Sequence, residues 1–195
     1  RIDKDTRTVY FDDDALQYDY LIMALGARTG YFGRDDWQQF TVGLKSIPDA
    51  LAIRRKLLLS FEQAELNPLE APSLLRYIIV GGGPTGVEMA GSIAELAREI
   101  IRKDFRHIDP ATAHVTLIEA GDRVLGTFSP KLSEYAKKEL ELRGVEVRVS
   151  TRVQNIDAEG VHLGEGVVLK SNFIIWAAGV EANPMSQQLG VPLDR

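Results

Sequence analysis

The feature that most constrains this chain is Tyr77-Ile78-Ile79-Val80-Gly81-Gly82-Gly83-Pro84-Thr85-Gly86-Val87-Glu88, an apolar run that meets three glycines and then helix-forming sequence. Apolar residues without polar alternation suit a parallel strand covered on both faces, so Tyr77 to Val80 is predicted to be a buried strand. Gly81, Gly83 and Gly86 fit G-x-G-x-x-G. The first glycine makes a tight turn, the second lets a diphosphate approach the backbone, and the third lets helix and strand pack closely. A helix opening at Thr85 or Gly86 aims its free N–H groups and positive dipole end at that turn, which makes the turn a seat for a diphosphate.

Glycine turns are common, so this one gains its weight from its surroundings. The following helix, predicted to run to about Lys103, carries apolar residues at Val87, Ala90, Ile93, Ala94, Ala97, Ile100 and Ile101. A second apolar strand, Val115 to Ile118, ends in Glu119, where an acid would accept hydrogen bonds from both hydroxyls of an adenosine ribose. Glu119 lies 33 residues beyond Gly86, against ~20 in the usual fingerprint. A long helix and the insertion Asp104 to Ala113 account for the gap. Arg123 is the nearest following cation, and the sequence leaves open whether it reaches the adenosine or sits on the surface.

The next helix has Ser129 as N-cap, Pro130 at its first position and Gly144 past its last turn, and Val145 to Val149 follows as a third strand. Then the alternation stops. Arg152 to Ile156, Val161 to Leu163 and Val167 to Lys170 read as an antiparallel meander. Phe173 to Trp176 is an apolar strand ending in Ala177-Ala178-Gly179, small residues that let a ligand approach the carboxyl edge of the sheet.

Earlier in the chain, Thr8 to Phe11 and Ala15 to Tyr18 read as a hairpin around Asp12-Asp13-Asp14. Leu21 to Leu25 reads as a buried strand whose neighbours are missing, and Tyr31 to Gly43 as a connection. A helix from Ser46 to about Glu65 opens on the capping pattern Ser46-Ile47-Pro48-Asp49 and ends before Asn67-Pro68. Pro72 places the start of the main nucleotide unit near Ser73.

Composition excludes several classes. A net charge of -5 gives no basic field for nucleic acid or anionic lipid. No apolar run approaches a membrane span, and no signal-peptide pattern is present. The chain has no cysteine, which removes disulfides, redox-active thiols and thiolate metal sites, and its three histidines lack ligand spacing, so no metal site is expected. The chain begins at Arg1 and stops in Val191-Pro192-Leu193-Asp194-Arg195, and reads as an excised piece of something longer.

YDYLIMALGA, VGGGPTGVEMAGSIAEL, the FRHIDP insertion, VTLIEAGDRVL and FIIWAAGV together resemble the flavin-dependent pyridine nucleotide-disulphide oxidoreductases, most closely the type II NADH dehydrogenases. That resemblance implies an α/β fold: a Rossmann-like NADH-binding domain with parallel sheet, flanking helices and antiparallel meander, joined to a remnant of an FAD-binding domain. It places residues 1–45 in the first FAD segment, 46–72 in a linking helix, 73–176 in the NADH domain and 177–195 in the return to the FAD domain. It implies NADH as ligand, with Gly81, Gly82, Gly83, Pro84, Thr85 and Gly86 at the diphosphate, Glu119 and Ala120 at the ribose, and Val153 near the adenine. Glu88, Ala178 and Gly179 would lie toward nicotinamide and flavin.

Plain readings stand beside these. Glu88 is equally a first-turn acid favoured by the helix dipole, and Val153 and Trp176 suit core packing.

Hydride would pass from NADH to FAD and on to quinone in the full-length parent, a cytoplasmic protein peripheral to the membrane. The first FAD glycine motif is absent, so these residues alone are expected to hold no flavin, to be inactive and to make no membrane contact. The expected partners are the missing FAD segments and a second copy of the chain, paired through the orphaned strand. Two rivals remain: a related flavoprotein with a ferredoxin or peroxide acceptor, and a methyltransferase-like or non-catalytic nucleotide-binding Rossmann domain.

Overall fold

The computed structural model describes residues 1–192. In chain order the strands are β1 (Ile2–Asp3), β2 (Thr8–Phe11), β3 (Asp14–Gln17), β4 (Ala27–Thr29), β5 (Thr41–Gly43), β6 (Arg76–Val80), β7 (His114–Ile118), β8 (Val145–Arg148), β9 (Asn155–Asp157), β10 (Gly160–His162), β11 (Val168–Lys170), β12 (Phe173–Trp176) and β13 (Val180–Ala182). The helices are α1 (Ile47–Leu66), α2 (Ala71–Leu74), α3 (Pro84–Glu95) and α4 (Pro130–Leu142). The chain forms two compact units, residues 29–179 and residues 1–28 with 180–192.

In the larger unit a five-stranded parallel sheet runs β5-β12-β6-β7-β8. Ile79 pairs with Ile175 on one side and Leu117 on the other, so β6 is flanked on both sides from Tyr77 to Val80. Its residues alternate between two covered faces. Tyr77 and Ile79 point into a core shared with Phe61 and Leu57 of α1, Ile93 and Ala94 of α3, and Leu140 of α4. Ile78 and Val80 point into a second core with Tyr31, Trp37, Trp176 and the meander residues Ile156, Val161 and Leu163. The meander (β9, β10 and β11, each antiparallel to the next) thus occupies the face where another crossover helix would otherwise stand. Double cover explains why β6 has no polar alternation.

α1 opens on the predicted capping box: the Asp49 N–H donates to Ser46 Oγ at 3.3 Å and the Ser46 N–H donates to Asp49 Oδ2 at 2.9 Å. Inside, Ser60 Oγ and the Tyr77 hydroxyl share a hydrogen bond of 2.7 Å, and burial pushes the Tyr77 phenol pKa up. At its far end Glu65 accepts the N–H groups of Arg106 (3.0 Å), His107 (2.9 Å) and Ile108 (3.2 Å), with His107 Nδ1 at 2.8 Å. One carboxylate therefore fixes the inserted loop. α3 passes into a π turn, Leu96–Ile100, closed by the Ile101 N–H to the Leu96 carbonyl at 3.1 Å.

In the smaller unit β1-β2-β3 form an antiparallel sheet, and Phe11 pairs with Asp14. The turn is therefore the two residues Asp12 and Asp13, with Asp12 at φ +47°, rather than all three aspartates. Arg28 and Glu181 make an ion pair of 3.0 Å.

Other expectations need correction. Leu21 to Leu25 forms no strand, and Ile22 is 90% exposed, because no strand among the described residues lies beside it to receive its hydrogen bonds. Residues 41–43, expected in a connection, are the edge strand β5, where Val42 pairs with Ile175. Together with α1 they belong to the larger compact unit, which starts at Thr29, well before Ser73. Of Arg152 to Ile156 only the end is strand, since pairing with β10 begins at Asn155. The α3 helix ends in its π turn, short of Lys103. No helix among the described residues is long and apolar enough to cross a membrane.

Candidate nucleotide site

The carboxyl ends of β6, β7 and β12 converge on the glycine turn. The Gly81 N–H donates to the Ile118 carbonyl at 2.8 Å and the Ala177 N–H donates to the Val80 carbonyl at 2.7 Å, which stitches the three strand ends together. Gly81 takes φ +112°, and a Cβ there would stand 2.6 Å from the Ala177 carbonyl carbon. At Gly86 a Cβ would run into the Gly81 carbonyl oxygen, so this glycine lets α3 close onto its strand. Gly83 is different: a Cβ there would meet nothing within 4 Å. Its backbone, the extended N-cap of α3, faces open space, as a diphosphate at a helix N-terminus requires.

Glu119 directly follows β7 and is held from both sides. Its Oε2 accepts the Gly82 N–H at 2.6 Å and its Oε1 accepts the Gly121 N–H at 2.6 Å. These two bonds fix the position of the carboxylate, and each oxygen keeps a lone pair for a ribose hydroxyl. The Thr151 N–H donates to the Glu119 carbonyl at 2.9 Å, bringing the loop after β8 alongside.

These groups border a cavity of about 740 Å³, within the range of small-molecule sites. Of the predicted residues, Gly81, Gly83, Glu119, Ala120, Val153 and Ala178 line it. Gly82 acts through its bond to Glu119. Pro84, Thr85 and Gly86 form the first turn of α3 behind the lining. Glu88 is exposed on α3 and Gly179 receives the Gly30 N–H at 3.1 Å; neither borders the cavity. Arg123 is turned to the Gly126 carbonyl (3.1 Å) and Asp122 (3.6 Å) and is also absent from the lining.

Sequence reasoning missed one wall of the cavity. Trp176, buried at the end of β12, donates Nε1–H to the Gly30 carbonyl at 2.8 Å. Tyr31 stacks on its ring at 5.3 Å, and Trp37 meets it edge-on at 5.5 Å. Arg34, Thr151, Arg152 and Gln154 also border the cavity. The available signal was four aromatic residues between 31 and 40, too dense for a plain surface connection.

The sequence model of the pyridine nucleotide-disulphide oxidoreductases matches residues 1–195. A type II NADH:quinone oxidoreductase of Mycobacterium tuberculosis is 42% identical over 188 residues, covering 91% of this chain and 41% of that protein. An external alternative NAD(P)H-ubiquinone oxidoreductase of Arabidopsis thaliana mitochondria is 33% identical, over 92% of this chain and 34% of its own length. Among solved structures, NDH2 of Plasmodium falciparum in complex with NADH superposes with a TM-score of 0.83 at 28% identity, covering 96% of this chain and 38% of that one. The chain thus spans well under half the length of these relatives.

Proposed function

The chain belongs to the pyridine nucleotide-disulphide oxidoreductase family, and from that premise we propose that its larger unit is the NADH-binding portion of a flavin-dependent NADH:quinone oxidoreductase. The single observation that carries this reading is the Glu119 carboxylate, fixed by Gly82 and Gly121 on the border of a cavity that also exposes the Gly83 backbone. Gly81, Gly83 and the first turn of α3 would hold the diphosphate, Glu119 the adenosine ribose, and Val153 the adenine. Ala178 and the aromatic wall would border the remainder of the nucleotide.

NADH bound there supplies a hydride, and the chain supplies position and charge. The small side chains of Ala177 and Ala178 leave room beside the strand ends, and Trp176 is buried in that wall and hydrogen-bonded to the Gly30 carbonyl. The 195 residues hold one G-x-G-x-x-G turn, and the nucleotide reading uses it.

Residues 1–28 and those after Gly179 belong, in this reading, to an FAD domain, in a protein peripheral to a membrane. The names of the relatives favour quinone as acceptor over ferredoxin or peroxide. Self-association through residues before Phe40 would rest on exposed side chains such as Tyr20 and Ile22, and light scattering tests it.

Calorimetric titration of the 195-residue chain with NADH and with S-adenosylmethionine tests the central claim. NADH is expected to bind one-to-one to a colourless protein. Binding of S-adenosylmethionine alone would replace this reading with a methyltransferase, and a stoichiometric flavin spectrum would assign the glycine turn to flavin instead.

A further inference from the structure

Two arginines line the cavity, and they differ in what already holds them. The Arg34 guanidinium is engaged: it pairs with Asp36 at 2.8 Å, donates to Asn155 Oδ1 at 2.7 Å and to the Gln154 carbonyl at 3.3 Å, and lies 4.5 Å from the centre of the Trp37 ring. Arg152 is exposed and, among the described residues, makes neither ion pair nor side-chain hydrogen bond. Its place is nevertheless fixed through the backbone. Its neighbour Thr151 donates to the Glu119 carbonyl at 2.9 Å, so Arg152 leaves the main chain one residue from a direct tie to the ribose-binding acid.

The second cation that sequence order suggests near Glu119, Arg123, is occupied by Gly126 and Asp122. The surface that would meet the adenosine ribose therefore presents one carboxylate held by two amides and one guanidinium that is unpaired among the described residues. A carboxylate held by two amide bonds repels a phosphate on the ribose 2′ oxygen, whereas a guanidinium matches phosphate with two parallel hydrogen bonds.

We propose that Arg152 is a specificity-determining residue that engages the 2′-phosphate of NADPH and offsets Glu119, so that these two side chains together set the NADH to NADPH ratio. The proposal rests on the reading of this cavity as the NADH site. Among the described residues the Arg152 side chain makes no bond, so its proposed role concerns the ligand rather than the fold.

The test is calorimetry with NADH and NADPH on the unmodified chain, Arg152→Ala and Arg152→Lys, each at two salt concentrations. Arg152→Ala should weaken NADPH about tenfold or more, the scale of a lost charge-assisted hydrogen bond, and NADH less than about threefold. The salt dependence of NADPH binding should fall in the same variant. Arg152→Lys should retain part of the NADPH affinity, because an ammonium offers charge without the planar fork. Equal losses for both nucleotides would overturn the proposal by assigning Arg152 to the adenine or diphosphate they share, and no change in either would place it outside the site. Failure of the unmodified chain to bind NADH would remove the underlying reading, and the proposal with it.

Discussion

Residues 77–80 and residues 21–25 are alike in composition and opposite in state. Tyr77, Ile78, Ile79 and Val80 are all nearly inaccessible, whereas Ile22 is 90% exposed and Leu25 40%. The difference lies in their neighbours. β6 has β12 and β7 in register on its two sides and a packed core above and below. Residues 21–25 have no paired strand among the described residues. Burying a side chain the size of Ile79 contributes about 1.5 to 3 kcal/mol, but only where the backbone beside it is also satisfied. Apolar sequence is a demand for partners, and the fold answers it in one region and leaves it open in the other.

The contrast can be broken most directly with a charge. Ile79→Asp should cost about 4 kcal/mol or more and abolish cooperative folding, since it buries an unpaired carboxylate, while Ile22→Asp should stay within about 0.5 kcal/mol. Urea unfolding monitored by circular dichroism checks both. A large penalty at Ile22 would show that the segment is covered in solution.

Within the glycine turn the same contrast appears over two residues. Gly81→Ala meets the Ala177 backbone at a positive φ and should lose about 2 to 4 kcal/mol. Gly83→Ala, in open space at φ -72°, should leave stability within about 1 kcal/mol and weaken NADH binding instead. Thermal unfolding and calorimetry on the two variants separate a glycine the fold needs from one the ligand needs.

The smallest effect concerns Glu65. Burial opposes its charge, but the His107 and Arg106 amides and the His107 imidazole outweigh it and hold the carboxyl below its ordinary value of 4.5. A lowered folded value means that its stabilisation is complete above pH 4.5 and is lost as pH falls through that lower value. Glu65→Gln should therefore lower the melting temperature slightly at pH 7 and remove part of its fall in acid. Hydrogen exchange at the His107 and Ile108 amides should speed up in the variant, and unchanged exchange would show that the loop is held elsewhere.

Much of the candidate site was legible because its signals are local. Strand, glycine turn, helix, strand and acid follow one another, and each has a reason to be where it is: Gly81 and Gly86 for close approach, Gly83 for open backbone, Glu119 for its two amide donors. The aromatic wall was not legible, because Tyr31 and Trp37 have no periodicity of their own and acquire meaning only when β12 brings Trp176 beside them. The two arginines show the same limit. Arg123 follows Glu119 by four residues and Arg152 by thirty-three, yet the Thr151 bond brings the loop of the distant one to Glu119. The run at 21–25 misled for the complementary reason, since periodicity reports what a segment could bury and not whether a neighbour exists.

One consequence of the sheet order concerns time. β5 pairs with β12 alone, Thr41 against Ile174, so the first strand of the parallel sheet to be made is matched by its last. The meander pairs neighbours in sequence and can close quickly, while the parallel sheet must wait for distant chain. At about 5 to 20 residues per second, a ribosome leaves β5 unmatched for on the order of ten seconds after it is synthesised. Over that interval α1, capped and adjacent in the chain, is the earliest cover the sequence offers for that edge, and delays in synthesis between residues 44 and 172 should raise the yield of aggregated product.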